Sequence, residues 1–457
     1  MIFDPLLEPF LRHRPAAVMT RAALEYAFAG DDLDDLFRRV ATTQYEHRLT
    51  FSSVVGLLAA VVTRRYASVH AAYRADPAAL AASLASVYDK LNHTDPGVAE
   101  ALVPHTAGRL RSVLEAWPTE AQPIAGLRLK VVDGNYLAGT DHRLAVLRGH
   151  GAAALPGMAL VVRDHATGLL TELIADPDAY TNERGRIDRL LERVRPGEVW
   201  VGDRNFCVQS LFAGIAARGS YFVIRHHAQT GVAPEGALRP AGETETGRVF
   251  EQPVAVGGTT YRLVVIRLAH PTRDGETEIR LLTNLSAEQA TAVAIAETYR
   301  LRWTLEASFL EVTRSVHCEL ATLGYPRAAI LCFALALCAC NAFRVVTQAV
   351  QVAHGSDHPG EEVSSYYVAN EAAAAFDGLE VVIPATVWGP LRAMSGAVFA
   401  AWLVIVAGRA EWRKYRKTTR GPKKPVTKTP AGRRAAHRST HRLLLATKAL
   451  PRSQTRP

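Results

Sequence analysis

The sequence predicts an α/β fold: a mixed sheet flanked by helices, interrupted by a β-rich insertion and bounded by helical N- and C-terminal regions. Three observations predict it. Between residues 126 and 227, short β-branched runs alternate with amphipathic stretches, the pattern of a sheet covered on its faces. Residues 1–125 lack such runs and carry apolar residues at helical spacing. Residues 228–285 hold further β-rich runs divided by Gly257-Gly258 and Asp274-Gly275, which are turn signals.

In the N-terminal region, Thr50 stands where a cap would open a helix through SSVVGLLAAVVTRRY. Asp76-Pro77 stands where another would open through AALAASLASVYDKL. No helix-turn-helix signature stands out. From 126 onward the sequence reads as a strand ending in Asp133 (LRLKVVD), then strands at 160–163 and 169–174 joined by DHATG. An amphipathic helix follows at 182–194, with Ile187, Leu190, Leu191 and Val194 on one face. Pro196-Gly197 breaks it, EVWVGD forms a strand ending in Asp203, and a helix at about 207–218 leads to the strand YFVIRHH. Three strands, a helix, a strand, a helix and a strand is the order of the RNase H-like fold. After the insertion comes a long helix, roughly 286–316, then an apolar one from about 328.

The chain has 457 residues, 48% hydrophobic, enough for a large core and two or three domains. Its net charge is +9. The excess is concentrated: residues 409–457 hold 16 Lys/Arg and one acid, Glu411, leaving the rest net acidic. A basic tail of this kind, rich in Pro and Thr, is expected to be disordered until it meets a polyanion, nucleic acid first. The five cysteines form no CxxC pair and no zinc spacing, and read as reduced thiols of a cytoplasmic protein. No signal peptide is read at the N-terminus. The apolar runs 328–343 and 397–407 fall short of the roughly 20 residues that span a bilayer, so they read as buried core helices and no membrane is expected as a partner.

The chemistry is read from three carboxylates. On an ideal helix Tyr299, Arg302 and Glu306 fall within about 60° of one another, opposite Leu301, Leu305, Phe309 and Val312. That stripe admits two readings: a solvated face with an Arg302–Glu306 pair, or one wall of a site. Asp133 and Asp203 each end a strand, where an aspartate is often a turn or cap residue but where α/β sheets also build sites. Together the three are candidate ligands for hard cations, Mg²⁺ or Mn²⁺. Two such ions about 4 Å apart activate an oxygen nucleophile and stabilise the leaving oxygen at a phosphodiester. No Walker A sequence is present.

VVDGNYLAGTD (131–141), VWVGDRNF (199–206) and LLTNL followed by YRLRWTLEASF (299–309) resemble the three catalytic blocks of the type-four insertion-sequence transposases. The third block of that family reads Tyr-x2-Arg-x3-Glu-x6-Lys. Here Tyr299, Arg302 and Glu306 are in register, while Thr313 replaces the lysine, with Arg314 beside it. The resemblance covers about 126–345 and extends loosely to the N-terminal helices. It implies a DDE transposase that cleaves DNA at transposon ends and transfers strands to target DNA, with Asp133, Asp203 and Glu306 holding two divalent ions. It implies DNA contacts from Tyr299 and Arg302, with Arg204 and Arg314 as further candidates. It also implies a helical DNA-binding region at 1–125, a catalytic domain at 126–345 with its insertion at 228–285, a helical region at 346–411 and the tail at 412–457. A homodimer on double-stranded DNA and a nucleoid-associated location in a bacterial cytoplasm follow from the same likeness.

Lesser candidates have simpler readings. Arg204 either touches a phosphate or pairs with an acid. His226 and His227 read as loop residues, His142 and Arg143 as surface residues. Trp303 reads as core, and Cys338 and Cys340 as packing. The competing readings are a non-catalytic DNA-binding descendant of a transposase and a membrane-associated protein.

Overall fold

The computed structural model describes residues 4–42, 48–137, 144–150, 154–272, 275–318, 320, 323–418 and 438–449. His142 and Arg143 lie outside them.

Apolar residues at helical spacing give the N-terminal helices α1 (Glu8–His13), α2 (Pro15–Ala27), α3 (Gly30–Val40), α4 (Phe51–Val62), α5 (Val69–Ala75), α6 (Leu84–His93) and α7 (Pro96–Leu114). Thr50 caps α4, its hydroxyl accepting from Ser53 N at 3.2 Å. The helix expected from Asp76-Pro77 starts later. Ala78–Leu80 makes one 3-10 turn, Ala81 turns the chain at φ +47°, and Ser83 caps α6 by accepting from Ser86 N.

The β-branched runs become β1 (Arg128–Tyr136), β2 (Ala154–Leu155), β3 (Met158–Asp164), β4 (Leu170–Asp176), β5 (Glu198–Gly202) and β6 (Tyr221–Arg225), with α8 (Ile187–Leu191) and α9 (Gln209–Ala216) between the later strands. The insertion supplies β7 (Ala233–Pro234), β8 (Arg239–Thr244), β9 (Gly247–Val256), β10 (Thr259–Leu268) and β11 (Glu278–Thr283). Ten strands form one mixed sheet in the order β4-β3-β1-β5-β6-β11-β10-β9-β7, with β8 also on β9. β3 runs antiparallel to both β4 and β1, whereas β1, β5 and β6 are parallel. Apart from the two-residue β2, this is the predicted order of three strands, a helix, a strand, a helix and a strand. Since β11 pairs with β6, the insertion prolongs the sheet. Its β9–β10 hairpin closes through Gly257 (φ 57°) and Gly258 (φ 81°), two consecutive positive angles that suit a tight turn between right-twisted strands.

Alternation along the strands splits the core. Val131, Val161, Val201 and Val223 belong to one core shared with the N-terminal helices, while Val132, Trp200, Phe222 and Ile224 belong to a second core with α8 and α9.

The expected long helix is two helices, α10 (Ala292–Arg300) and α11 (Trp303–Ser315). The break is a tightened turn: Leu301 N bonds Thr298 O and Arg302 N bonds Tyr299 O, three residues back. α12 (Pro326–His354) is longer than the apolar run suggested, and by length and composition it is sufficient to cross a membrane. Its most apolar window is nonetheless 89% buried, packed against α2, α4, α6, α7, α13 (Ser365–Val382) and α15 (Gly396–Ala407). Cys338 and Cys340 are buried on it, as packing requires. α14 (Ala385–Arg392) and α16 (Trp412–Tyr415) complete the C-terminal helices. Part of the tail expected to be disordered is ordered: Arg438–Ser439 (β12) pairs in parallel with β2, and Thr440–Ala449 forms α17. Ser439 and Thr440 are buried there, which residue composition does not reveal.

Candidate active site

Register brings the two aspartates together. Val131 is the partner of Val201 across β1 and β5, so the register directs Asp133 and Asp203, each two residues further on, to the same end of the sheet, near enough for the charge of Asp203 to act on Asp133. Gly202 is the partner of Ile224 across β5 and β6, so Asp203 in turn lies beside Arg225. All three belong to the face of Val131, Val201 and Val223. Helices α10 and α11 cover that face, burying Ile295, Tyr299, Leu305 and Val312 in the same core. The sheet thus brings the two aspartates to one end, and Glu306 is joined to Asp133 through Arg302. Asp133 does not end its strand, because β1 continues to Tyr136 along β3. Asp203 is also a cap: its Oδ1 accepts from Asn205 N at 2.8 Å.

The link between strand and helix is Arg302. Its Nη1 donates to Glu306 Oε1 at 2.7 Å and to Asp133 Oδ2 at 3.4 Å. The tightened turn explains the aim of this side chain. Three residues of 3-10 geometry turn through about 360°, so Arg302 stacks over Tyr299 instead of trailing it by about 60°. Its guanidinium lies 5.9 Å over the Tyr299 ring and 4.8 Å over that of Trp303. The stripe is not a fully solvated face: Tyr299 is 5% exposed and Arg302 8%, although the Arg302–Glu306 pair expected of such a face is present. The buried Nε of Arg302 has no hydrogen-bond partner among the described residues. Trp303, expected in the core, is 60% exposed beside this stripe.

Electrostatics set the chemistry. Burial pushes the Asp133 carboxyl up to about 6; Arg302 pulls it back, while Asp203 and Glu306 push it further. Burial also raises the Tyr299 phenol, against the pull of Arg302 and Arg225 and with the repulsion of Asp203. Two aspartates in register and a glutamate facing them are all-oxygen donors whose repulsion a divalent cation would relieve, so the residues suit such an ion in kind. As they stand, no three acidic, His or Cys side chains among the described residues are grouped closely enough to hold one. The Arg302 guanidinium holds Asp133 and Glu306 instead.

The remaining candidates lie further out. Arg204 is exposed and its Nη1 sits 3.5 Å from Glu276 Oε1, the acid pair foreseen as one of its readings. Arg314 and Thr313 are exposed, and Thr313 Oγ1 donates to Leu310 O. His226 and His227 are turn residues: His226 N bonds Arg280 O, and His227 Nδ1 accepts from Gln229 N. Sequence reasoning missed Arg225. Its signal was the strand end YFVIR, one row from Asp203, where only the following histidines drew notice.

The fold and site define an α/β protein with strand-borne aspartates faced by a helical glutamate. Residues 127–341 match the transposase DDE domain family, a segment that contains all three carboxylates. No curated protein matches the chain. A piggyBac transposase synaptic complex with hairpin DNA, solved by cryo-EM, is similar over 93% of this chain and 88% of that one, at 11% identity and a TM-score of 0.38.

Proposed function

We propose that the protein is a transposase of the type-four insertion-sequence kind, which cuts DNA at transposon ends and joins the freed 3′ ends to target DNA. The observation that carries this is the register that brings Asp133 and Asp203 to the same end of the sheet, with Glu306 joined to Asp133 through Arg302, inside the segment matching the DDE domain.

Asp133, Asp203 and Glu306 would hold two Mg²⁺ or Mn²⁺ ions, which when bound supply an activated oxygen nucleophile and stabilise the leaving oxygen at a phosphodiester. The chain's other groups bind and orient. Arg302 has an unused buried donor at Nε and a planar fork suited to a phosphate, and the stacked Tyr299 and Trp303 rings fix its plane. When a phosphate arrives, Arg302 can turn from Asp133 towards it, which frees the carboxylate. The Tyr299 phenol stays protonated and serves as a hydrogen-bond donor. Arg204 and Arg314, both exposed, are placed on the flanking backbone. Double-stranded DNA is the partner, with a homodimer formed on it, in a bacterial cytoplasm at the nucleoid.

The test is cleavage of duplex DNA carrying the element's ends by the purified protein with Mg²⁺ or Mn²⁺. Nicked or hairpin products that EDTA abolishes are expected. Protein that binds these ends and never cuts them with either ion contradicts the proposal.

A further inference from the structure

The ordered C-terminal segment lies at the same end of the sheet as the aspartates. β12 pairs with β2, and β2 leads into β3, whose first residue Met158 stands opposite Tyr136, three residues past Asp133. α17 packs on the short turn Ala145–Leu147. Arg442 Nε donates to Asp178 Oδ2 at 2.7 Å, and its guanidinium lies 4.6 Å over the Tyr180 ring. Asp178 follows β4, whose last residue Asp176 is also opposite Met158. Despite some burial, the Asp178 carboxyl is held below its ordinary range by Arg442, the Tyr180 amide and Ser439. Strand pairing, helix packing and an ion pair therefore fasten residues 438–449 to the end of the sheet that carries the aspartates.

What this segment presents is positive charge. It contains Arg438, His441, Arg442 and Lys448 and no acid. Only Arg442 is consumed in anchoring. Arg438 and Lys448 are exposed and make no ion pair among the described residues. A segment needed only to cover the sheet edge requires its buried Ser439 and Thr440 and its Arg442 anchor, but not two further exposed cations at that end of the sheet. We propose that residues 438–449 form a strap that contacts the phosphates of duplex DNA flanking the cut strand, through Arg438 and Lys448 and without regard to sequence. This rests on the proposed DNA-cutting function.

The experiment is a salt titration of duplex DNA binding by the full chain without divalent ions, comparing the wild type with an Arg438→Ala/Lys448→Ala double variant. Each lost phosphate contact lowers the slope of log K against log salt by about 0.9, so the double variant is expected to lose nearly 2 from the slope with its melting temperature unchanged. Arg442→Ala is expected to weaken binding likewise and to speed proteolytic loss of the C-terminus. A wild type that binds DNA and a double variant with the same slope overturn the strap alone. A wild type that binds no DNA at any low salt overturns the proposed function and the strap with it.

Discussion

Arg302 Nη1 lies 3.4 Å from Asp133 Oδ2, and it is the one cation bonded to that carboxylate among the described residues. This single contact does not offset burial and the neighbouring acids, which together leave Asp133 at about 6. Folding therefore raises the pKa of this group, so it costs stability above pH 6. The cost fades as pH falls through 6 and is gone below the unfolded value of 3.8. Asp133→Asn removes the charge. Without divalent ions it is expected to stabilise the fold at pH 7.5 by up to about 2–3 kcal/mol, at about 1.4 kcal/mol per pKa unit. At pH 4 the gain should vanish. Denaturant melts at both pH values decide this; an Asn variant less stable than wild type at pH 7.5 refutes the electrostatic picture of the site.

The same substitution should abolish cutting, and so should Asp203→Asn and Glu306→Gln. A fall of at least about 1,000-fold in cleavage rate is expected for each, from the loss of several kcal/mol of transition-state charge stabilisation. Binding to end DNA should stay within a few-fold. Cleavage and gel-shift assays on the same preparations separate the two effects, and any variant that keeps near-wild-type cutting removes its residue from the site.

Arg302→Lys tests the fork. A lysine keeps the charge beside Asp133 and Glu306 but loses the planar stack on Tyr299 and Trp303 and the Nε donor. Cleavage is expected to fall at least about 10-fold, one lost charged hydrogen bond of about 1.5–3 kcal/mol, with the fold intact by circular dichroism. Full activity in the lysine variant means that charge alone suffices there.

Much of this site was legible because it depends on local period. The stripe of Tyr299, Arg302 and Glu306 follows from helical spacing, and Asp203 follows from a β-rich run that stops at a polar residue, whereas Asp133 lies within a strand that continues to Tyr136. What was not legible depends on partners distant in sequence. Nothing near Leu301 marks the tightened turn that aims Arg302 at β1, whereas helical spacing alone puts Trp303 within about 60° of Tyr299 and Glu306 and opposite Leu305, so its outward position was open to sequence reasoning. Arg225 becomes significant only when β6 is set in register against β5. The strap joins Arg438–Ser439 to Ala154–Leu155, and no periodicity connects segments so far apart. The expectation of a disordered tail failed there because composition measures average polarity and not one buried Ser-Thr pair.

Helix α11 provides a contrast between adjacent faces. Leu305 is fully buried against the sheet, whereas Trp303 is 60% exposed. Leu305→Ala should cost about 2–5 kcal/mol through lost burial and a residual cavity. Trp303→Ala should cost under about 1 kcal/mol despite the larger side chain, since little of it is withdrawn from water. Chemical denaturation of both variants checks the placement, and a Trp303→Ala loss equal to that of Leu305→Ala would return Trp303 to the core.

Away from the site, Asp164 joins β3 to β1. Lys130 Nζ lies 2.8 Å from its Oδ2, and Thr167 donates to Oδ1 from its hydroxyl at 2.7 Å and its amide at 3.0 Å. Burial alone would raise this carboxyl, but Lys130 and Thr167 outweigh it and hold it at about 2. The folded pKa is thus depressed, so the stabilisation is complete above the unfolded value near 3.8 and is lost as pH falls through 2. It amounts to about 2 kcal/mol from the shift alone. Asp164→Asn also strands the buried Lys130, so the loss at pH 7 should be at least that large. Between pH 4 and pH 2 the wild type should lose stability faster than the variant, and the gap between their unfolding midpoints should narrow. A gap that stays constant over that range means that Asp164 acts through its shape and hydrogen bonds, and not through its charge.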